Sequence, residues 1–168
     1  MELKNALLQR RSVRKFLTKK VNKEDIDELM HAAMSAPSAM NSQPWEFYVV
    51  QDKETLDKVI GCMRYANYGA NTAIIVAGNA KRFLPGAMKE FWVQDCSAAT
   101  ENILLRAVDL GLGTVWCGAY PNIDCSNKLR NALGANDDIV PMNVILVGYP
   151  NENPEPRDQY DENKIHVF

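Results

Sequence analysis

The chain has 168 residues, of which 46% are hydrophobic and 24% are charged. These values are typical of a folded protein of about one domain, which can bury a core without disulfides or a structural metal. Its 19 Lys and Arg against 21 Asp and Glu give a net charge of −2. That balance excludes the global basic field with which many proteins bind nucleic acid or an anionic membrane.

The sequence contains no apolar run of the roughly 20 residues that a membrane-spanning helix needs. Its first residues lack the apolar stretch of a signal peptide. The four cysteines show no Cys-x-x-Cys spacing and the two histidines are far apart in the chain, so no zinc site is indicated. We therefore expect a cytoplasmic protein with reduced thiols and no metal, and neither nucleic acid nor a membrane as a partner.

Residues 1–37 predict two helices separated by an extended segment. A short amphipathic helix that begins near Leu3 ends close to the first arginines, and residues 12–17 are extended. Asn22 is a favourable N-cap for the second helix, with apolar residues on both sides of the cap placed as a hydrophobic staple. That helix ends at Pro37, since proline cannot continue it.

The middle of the chain alternates strands and helices. After a polar loop at 37–44, aromatic and β-branched residues over 45–50 predict a strand. Asp52 can cap the next helix, and the short apolar run at 73–78 predicts a buried strand. Residues 89–110 have the longest helical pattern, which is followed by two glycines, as helix ends commonly are.

The last third of the chain predicts two strands, at 114–118 and 142–148, with a helix between them that Asp124 caps. The final 18 residues have two prolines and no core-forming periodicity before the apolar end IHVF. Such a tail is either disordered or lies on another surface. The alternation of helices and strands predicts an α/β or α+β fold with one sheet.

A basic segment follows the first helix. If this segment is extended, Arg10, Ser12 and Arg14 point to one face, and Arg11 and Lys15 to the other. Two guanidiniums with a hydroxyl between them form a clamp suited to a phosphate group. The alternative is a solvated basic patch after a helix C-terminus, where positive charge is favoured.

Two other segments offer polar contacts. Ser38, Asn41 and Gln43 place donors and acceptors on the proline-bounded loop, which suits the edge of a flat heterocycle; an ordinary helix-to-strand turn is the alternative. Cys117 and Gly118 follow a strand in a turn whose backbone could approach a ligand closely, or they simply end the strand. The glycines before them are not a dinucleotide fingerprint, because they follow a helix.

The acidic tail carries a single arginine. Arg157 is the only cation between Arg130 and Lys164, and a solvated side chain is the alternative to a ligand contact. No catalytic triad, nucleophile elbow or pair of spaced carboxylates is present. An anion clamp without an acid–base apparatus suggests that a cofactor carries the chemistry.

Four segments, in this order, resemble the FMN-dependent nitroreductase family, and together they cover nearly the whole chain. They are RRSVRKF, APSAMNSQPWEFYVV, DCSAATENILLRAVDLGLGTVWCG and VGYPNENPEPR with KIHV. The resemblance implies an α+β fold, with a mostly antiparallel sheet between helices, and an intertwined homodimer with FMN sites at the subunit interface. It also implies one domain over 1–168, with 89–110 as the central dimer helix and 150–168 as an arm that wraps the partner subunit.

The resemblance further implies the residues that bind the cofactor. They are Arg10, Arg11, Ser12, Arg14, Pro37, Ser38, Ala39, Asn41, Gln43, Cys117, Gly118 and Arg157. The arginines serve the phosphate and ribityl groups, and Arg14 also approaches the N1/O2 edge of the flavin. The loop residues reach the flavin from the other subunit. Cys117 and Gly118 pass the flavin ring with their backbone.

The implied activity is hydride transfer from NADH or NADPH, through FMN, to a nitroaromatic compound or a quinone by a ping-pong mechanism. The alternatives are a flavin-binding protein without nicotinamide-driven turnover and a related flavin enzyme such as a reductive dehalogenase. The family often has an asparagine and a lysine beside the pyrimidine ring of the flavin. Arg64, Asn67 and Asn71 are the candidates for this position. Because the chain is short, the excursion that shapes the substrate pocket in longer members must be small or missing.

Overall fold

A four-stranded sheet forms the centre of the computed structural model, which describes residues 1–168. The strands are β1 (Trp45–Val50), β2 (Thr72–Asn79), β3 (Gly113–Gly118) and β4 (Ile139–Gly148). They lie in the order β1-β2-β4-β3, and all three pairings are antiparallel. The helices are α1 (Leu3–Gln9), α2 (Lys23–Met34), α3 (Lys53–Gly61), α4 (Phe91–Asp109) and α5 (Ile123–Ala132). The expected α+β class with an antiparallel sheet is thereby confirmed.

The sheet separates two apolar cores, one on each face. Side chains of successive strand residues point to opposite faces, so Ile74 of β2 and Ile145 of β4 pack with α2 and α4. Ile75 of β2 packs instead with α3 and α5, on the other face. Both central strands are buried on both sides, which explains their continuous apolar sequences. None of the helices has the length and apolar character needed to cross a bilayer.

Side-chain caps set the starts of three helices. Asn22 and Asp52 accept hydrogen bonds from backbone N–H groups of α2 and α3, as expected. The expected cap of α5 was wrong: Asn122, not Asp124, accepts the hydrogen bond from the Cys125 N–H at 3.1 Å. Asp124 lies inside the first turn, where its charge favours the helix N-terminus without capping it.

The basic segment after α1 runs along the outer edge of β3. Ser12 forms a parallel bridge with Thr114, and the Val13 N–H donates to the Thr114 carbonyl at 2.8 Å. The Val13 side chain is buried and packs over Gly113, where an added Cβ would come within 2.8 Å of it. The absence of a side chain at Gly113 therefore allows the segment to lie directly on the sheet edge.

The first half of the tail lies on its own chain. The Asn151 N–H donates to the Lys15 carbonyl at 2.8 Å, and the Arg157 N–H donates to the Leu8 carbonyl at 3.3 Å. These contacts use backbone atoms, which side-chain periodicity does not report. The last residues differ: Val167 is 89% exposed, and Phe168 is fully exposed.

We expect Gly113→Ala to destabilise the fold by about 1–3 kcal/mol, since the new methyl group overpacks against the branched Val13 side chain. Urea unfolding followed by circular dichroism measures the change. Gly61→Ala is the matched control, because nothing lies within 4 Å of its added Cβ and alanine favours a helix. Equal midpoints for the two variants would show that the contact with Val13 is not tight.

Candidate functional site

Four arginines line one cavity of about 360 Å³, together with Ser12, Leu7 and Gln159. Arg10, Arg11 and Arg14 come from the segment along β3, and Arg157 comes from the tail. No acidic side chain lines this cavity. Guanidinium groups gathered in this way present many N–H donors and positive charge to one space, which suits a phosphate or carboxylate group.

The positive charge in this cavity is only slightly compensated. Of the four arginines, only Arg10 pairs with a carboxylate: its Nε lies 3.5 Å from Oε1 of Glu101 on α4. Burial raises the pKa of the Glu101 carboxyl, an effect that Arg10 opposes. Arg11 donates to the backbone carbonyl of Glu155. The cavity therefore retains a strong net positive field.

Arg11 borders two cavities. It lines the arginine cavity with Arg10, Ser12 and Arg14. It also lines a cavity of about 370 Å³ with Val13, which lies on the face that strict alternation gives to Arg11. The segment is not a regular strand, because its pairing with the strands of the sheet is a single bridge between Ser12 and Thr114. Arg11 precedes this bridge, so its backbone need not follow the two-residue period.

A larger cavity, of about 650 Å³, meets the first one at Arg14, which lines both. Cys117 and Gly118 of β3 line this larger cavity, so the structure brings them together with Arg14 as expected. The Cys117 thiol donates to the Tyr65 carbonyl at 3.3 Å. Burial raises the pKa of this thiol, so that it stays protonated and is a poor nucleophile.

The side chains considered for the pyrimidine side of a flavin do not lie together. Arg64 lines the larger cavity with Arg14. Asn67 and Asn71 line a separate groove beside α3, and the Asn71 amide donates to the Thr18 carbonyl. Of the three candidates, only Arg64 therefore reaches the cavity that contains Cys117.

The loop between α2 and β1 has an unusual backbone. Met40, Asn41 and Gln43 have φ angles of 51°, 54° and 46°, in the left-handed region that non-glycine residues rarely adopt. Each such residue costs about 1–3 kcal/mol, and such strain is often found at functional sites. Within the loop, the Gln43 N–H donates to Ser38 Oγ at 3.0 Å.

A buried carboxylate on α4 holds this loop. Asp95 is 6% exposed; its Oδ1 accepts from the Ala39 N–H at 2.9 Å and its Oδ2 accepts from Ser42 Oγ at 3.5 Å. Asp95 was not among the residues expected to shape the site. The signal was present in the sequence, because Asp95 lies three residues after Trp92 on an otherwise apolar helix face.

The residues expected to bind the cofactor therefore form two groups within one chain. The first group lines the two adjoining cavities and contains Arg10, Arg11, Ser12, Arg14, Cys117, Gly118 and Arg157. The second is the loop over 37–43, and its Pro37 and Ala39 line a different cavity beside the start of α4. Neither the two adjoining cavities nor the cavity beside α4 contains residues from both groups.

Comparison with known proteins agrees with this architecture. The sequence model of the nitroreductase family matches residues 7–66 and 64–149. A Methanothermobacter thermautotrophicus protein, provisionally named NADH dehydrogenase/NAD(P)H nitroreductase, is 42% identical over 99% of this chain and 87% of its own. A solved Bacteroides thetaiotaomicron structure with the same provisional name is 42% identical, with a TM-score of 0.91 over 98% of this chain and 96% of that one.

A solved structure from Desulfovibrio desulfuricans adds a ligand to the comparison. It is provisionally named a nitroreductase and was obtained in complex with FMN. It is 28% identical, and it superposes with a TM-score of 0.86 over 100% of this chain and 98% of that one. The match of the family model over most of the sequence, supported by these relatives, shows that the chain belongs to the nitroreductase family.

Proposed function

We propose that this protein is an FMN-dependent oxidoreductase that takes hydride from NADH or NADPH and reduces an electrophilic acceptor such as a nitroaromatic compound or a quinone. The observation that carries the proposal is the cavity with four arginines, which shares Arg14 with a larger cavity that has aromatic walls. Membership in the nitroreductase family and the FMN complex of the Desulfovibrio desulfuricans relative support the choice of cofactor.

The residues in the two cavities fit the two ends of FMN. A terminal phosphate is an acceptor of several hydrogen bonds and carries negative charge, which matches a space lined by guanidiniums and Ser12 without any acid. A flat ring system matches the larger cavity, which Tyr65, Tyr68 and Trp116 line. We assign Arg10, Arg11 and Arg157 to the phosphate. FAD lacks this terminal phosphate, so the arrangement favours FMN.

When bound, FMN supplies the hydride transfer itself, and no protein side chain needs to act as a nucleophile. The protein binds and orients the cofactor and provides positive charge beside it. Arg14 lies where the two cavities meet, and its positive charge would stabilise negative charge that develops on the flavin ring. Because donor and acceptor would use the same larger cavity in turn, we infer a ping-pong order.

We also propose a homodimer in which a second copy completes the site. In one chain the loop over 37–43 shares no cavity with the arginines, so the loop of the other copy is the one expected to reach the flavin. The exposed apolar end of the tail supports an arm over 150–168 that wraps the partner and extends a single domain over 1–168. The four free thiols are compatible with work in the reducing cytoplasm.

We expect Arg157→Ala to weaken FMN binding by about 10- to 100-fold, since a charged hydrogen bond contributes about 1.5–3 kcal/mol. Riboflavin, which lacks the phosphate, should lose much less affinity. Fluorescence titration of the apoprotein measures both. Arg130→Ala is the matched control, because Arg130 pairs with Asp137 outside both cavities. Equal losses for FMN and riboflavin would mean that Arg157 is structural.

Deletion of residues 165–168 should weaken the dimer and reduce its flavin content, because the apolar end of the arm then has nothing to bury in the partner. This deletion leaves Arg157 in place. Sedimentation velocity over a range of protein concentrations measures the assembly, and Lys164→Ala serves as a nearby control. A full-length, flavin-loaded monomer that is stable at all concentrations would contradict the proposed dimer.

Reduced nicotinamide should bleach the bound flavin anaerobically, and a quinone or a nitroaromatic compound should restore its colour. Steady-state rates should give parallel double-reciprocal lines.

Cys117→Ser should keep the rate within several-fold of wild type, because this protonated thiol has no chemical role. Arg14→Met should slow flavin reduction at equal FMN occupancy. If FMN binds but neither NADH nor NADPH reduces it, the protein is a flavin carrier.

A further inference from the structure

The larger cavity has positive charge that the FMN phosphate does not require. Besides Arg14, its lining contains Arg64, from the loop after α3, and Lys128, from α5; Asp124 is its only acidic residue. Neither Arg64 nor Lys128 pairs with a carboxylate anywhere in the structure. The phosphate is already served by the arginines of the smaller cavity.

Lys128 and Cys125 both line this cavity. Burial raises the pKa of the Cys125 thiol, and the positive charge of Lys128 opposes this rise. Arg64 lies with its guanidinium carbon 5.1 Å from the centroid of the Tyr65 ring, a distance at which cation and ring attract each other. Two separate elements thus direct positive charge to one space.

The walls beside these cations are aromatic and accessible. Tyr65 is 65% exposed and Trp116 is 38% exposed, and both line the cavity. Exposed ring faces provide stacking surfaces for a flat molecule. Unpaired cations next to such faces favour a molecule that is both flat and negatively charged, since charges in a cleft attract an oppositely charged ligand.

We propose that Arg64 and Lys128 bind an anionic group on the substrate that shares this cavity with the flavin, so that the enzyme prefers flat, negatively charged substrates. The inference rests on the function proposed above and names its substrate class. The anionic group has two possible sources, which are a carboxylate on an aromatic acceptor and the 2′-phosphate of NADPH.

The test uses the flavin-loaded dimer and the variants Lys128→Met, Arg64→Met and both together. Methionine keeps an apolar stem of similar length but removes the charge. Lys58→Met is the matched control, since Lys58 pairs with Glu54 on α3 and lines neither cavity. One arm compares 4-nitrobenzoate with the neutral 4-nitrobenzamide as acceptor. The other compares NADPH with NADH as donor.

In the acceptor arm, each single variant should raise KM for 4-nitrobenzoate by about 3- to 10-fold, between the effects of an exposed ion pair and a charged hydrogen bond. For Lys128→Met, KM for 4-nitrobenzamide and kcat should stay within twofold. Equilibrium dialysis of 4-nitrobenzoate against the oxidised protein should show the same loss without turnover. Added salt should reduce the preference of the wild type for 4-nitrobenzoate over 4-nitrobenzamide, but it should not change the relative KM values of the double variant.

The donor arm identifies the second source. If the variants raise KM for NADPH but not for NADH, and leave both acceptors unchanged, the cations bind the 2′-phosphate, and the inference holds with that source. If neither the acceptor nor the donor preference changes in the double variant, the inference is overturned. It is also overturned if the variants lose FMN, because the cations then belong to the cofactor site.

Failure of the proposed function gives a different result. A wild-type protein that purifies without flavin, or whose flavin dithionite reduces but NADH and NADPH do not, contradicts the oxidoreductase itself. In that case, equilibrium dialysis of 4-nitrobenzoate against the wild type and the double variant still tests whether Arg64 and Lys128 bind an anionic group. A wild-type protein that turns over normally, while the double variant changes neither the acceptor comparison nor the donor comparison, contradicts only the inference about Arg64 and Lys128.

Discussion

Four guanidinium groups that line one cavity repel each other, and backbone contacts hold them there. The segment with Arg10, Arg11 and Arg14 is tied to β3 by the Val13 N–H, and the tail with Arg157 is tied to the Leu8 carbonyl. Such hydrogen bonds each contribute about 0.5–1.5 kcal/mol, and burial of the Val13 side chain adds about 1.5–3 kcal/mol. The ion pair between Arg10 and Glu101 offsets part of the repulsion, and a bound anion would offset more of it.

In the proposed dimer, helix α4 connects the arginines of one site to the loop that serves the other site. Glu101 on one of its faces pairs with Arg10, and Asp95 on its buried face accepts hydrogen bonds from the strained loop. The two carboxylates play opposite roles. Glu101 moderates the charge of the arginine cavity, whereas Asp95 offsets the cost of an unfavourable backbone. A single rigid helix thus fixes both groups, although they line different cavities.

Because two different cavities share Arg14, a small protein can bind a cofactor in one cavity and leave part of the other for a substrate. The smaller cavity concentrates charge, and the larger one combines aromatic walls with separate cations. Binding energy from a phosphate can therefore hold a cofactor while the space beside its ring remains free for substrates in turn. The buried, protonated Cys117 beside Arg14 is consistent with chemistry that belongs to a cofactor rather than to a thiol.

The sequence by itself determined the features that depend on neighbouring residues. Short runs of apolar, aromatic and β-branched residues located the strands, and the 3.6-residue period located the main helices. The caps at Asn22 and Asp52 follow from local hydrogen bonding. The basic segment around Ser12 and the family resemblance located most of the arginine cavity. Only the tertiary structure decided which distant residues meet: Arg11 lines the arginine cavity, Asp95 holds the loop, and Arg64 rather than Asn67 shares a cavity with Arg14. These contacts depend on packing between elements far apart in the chain, which no local period encodes.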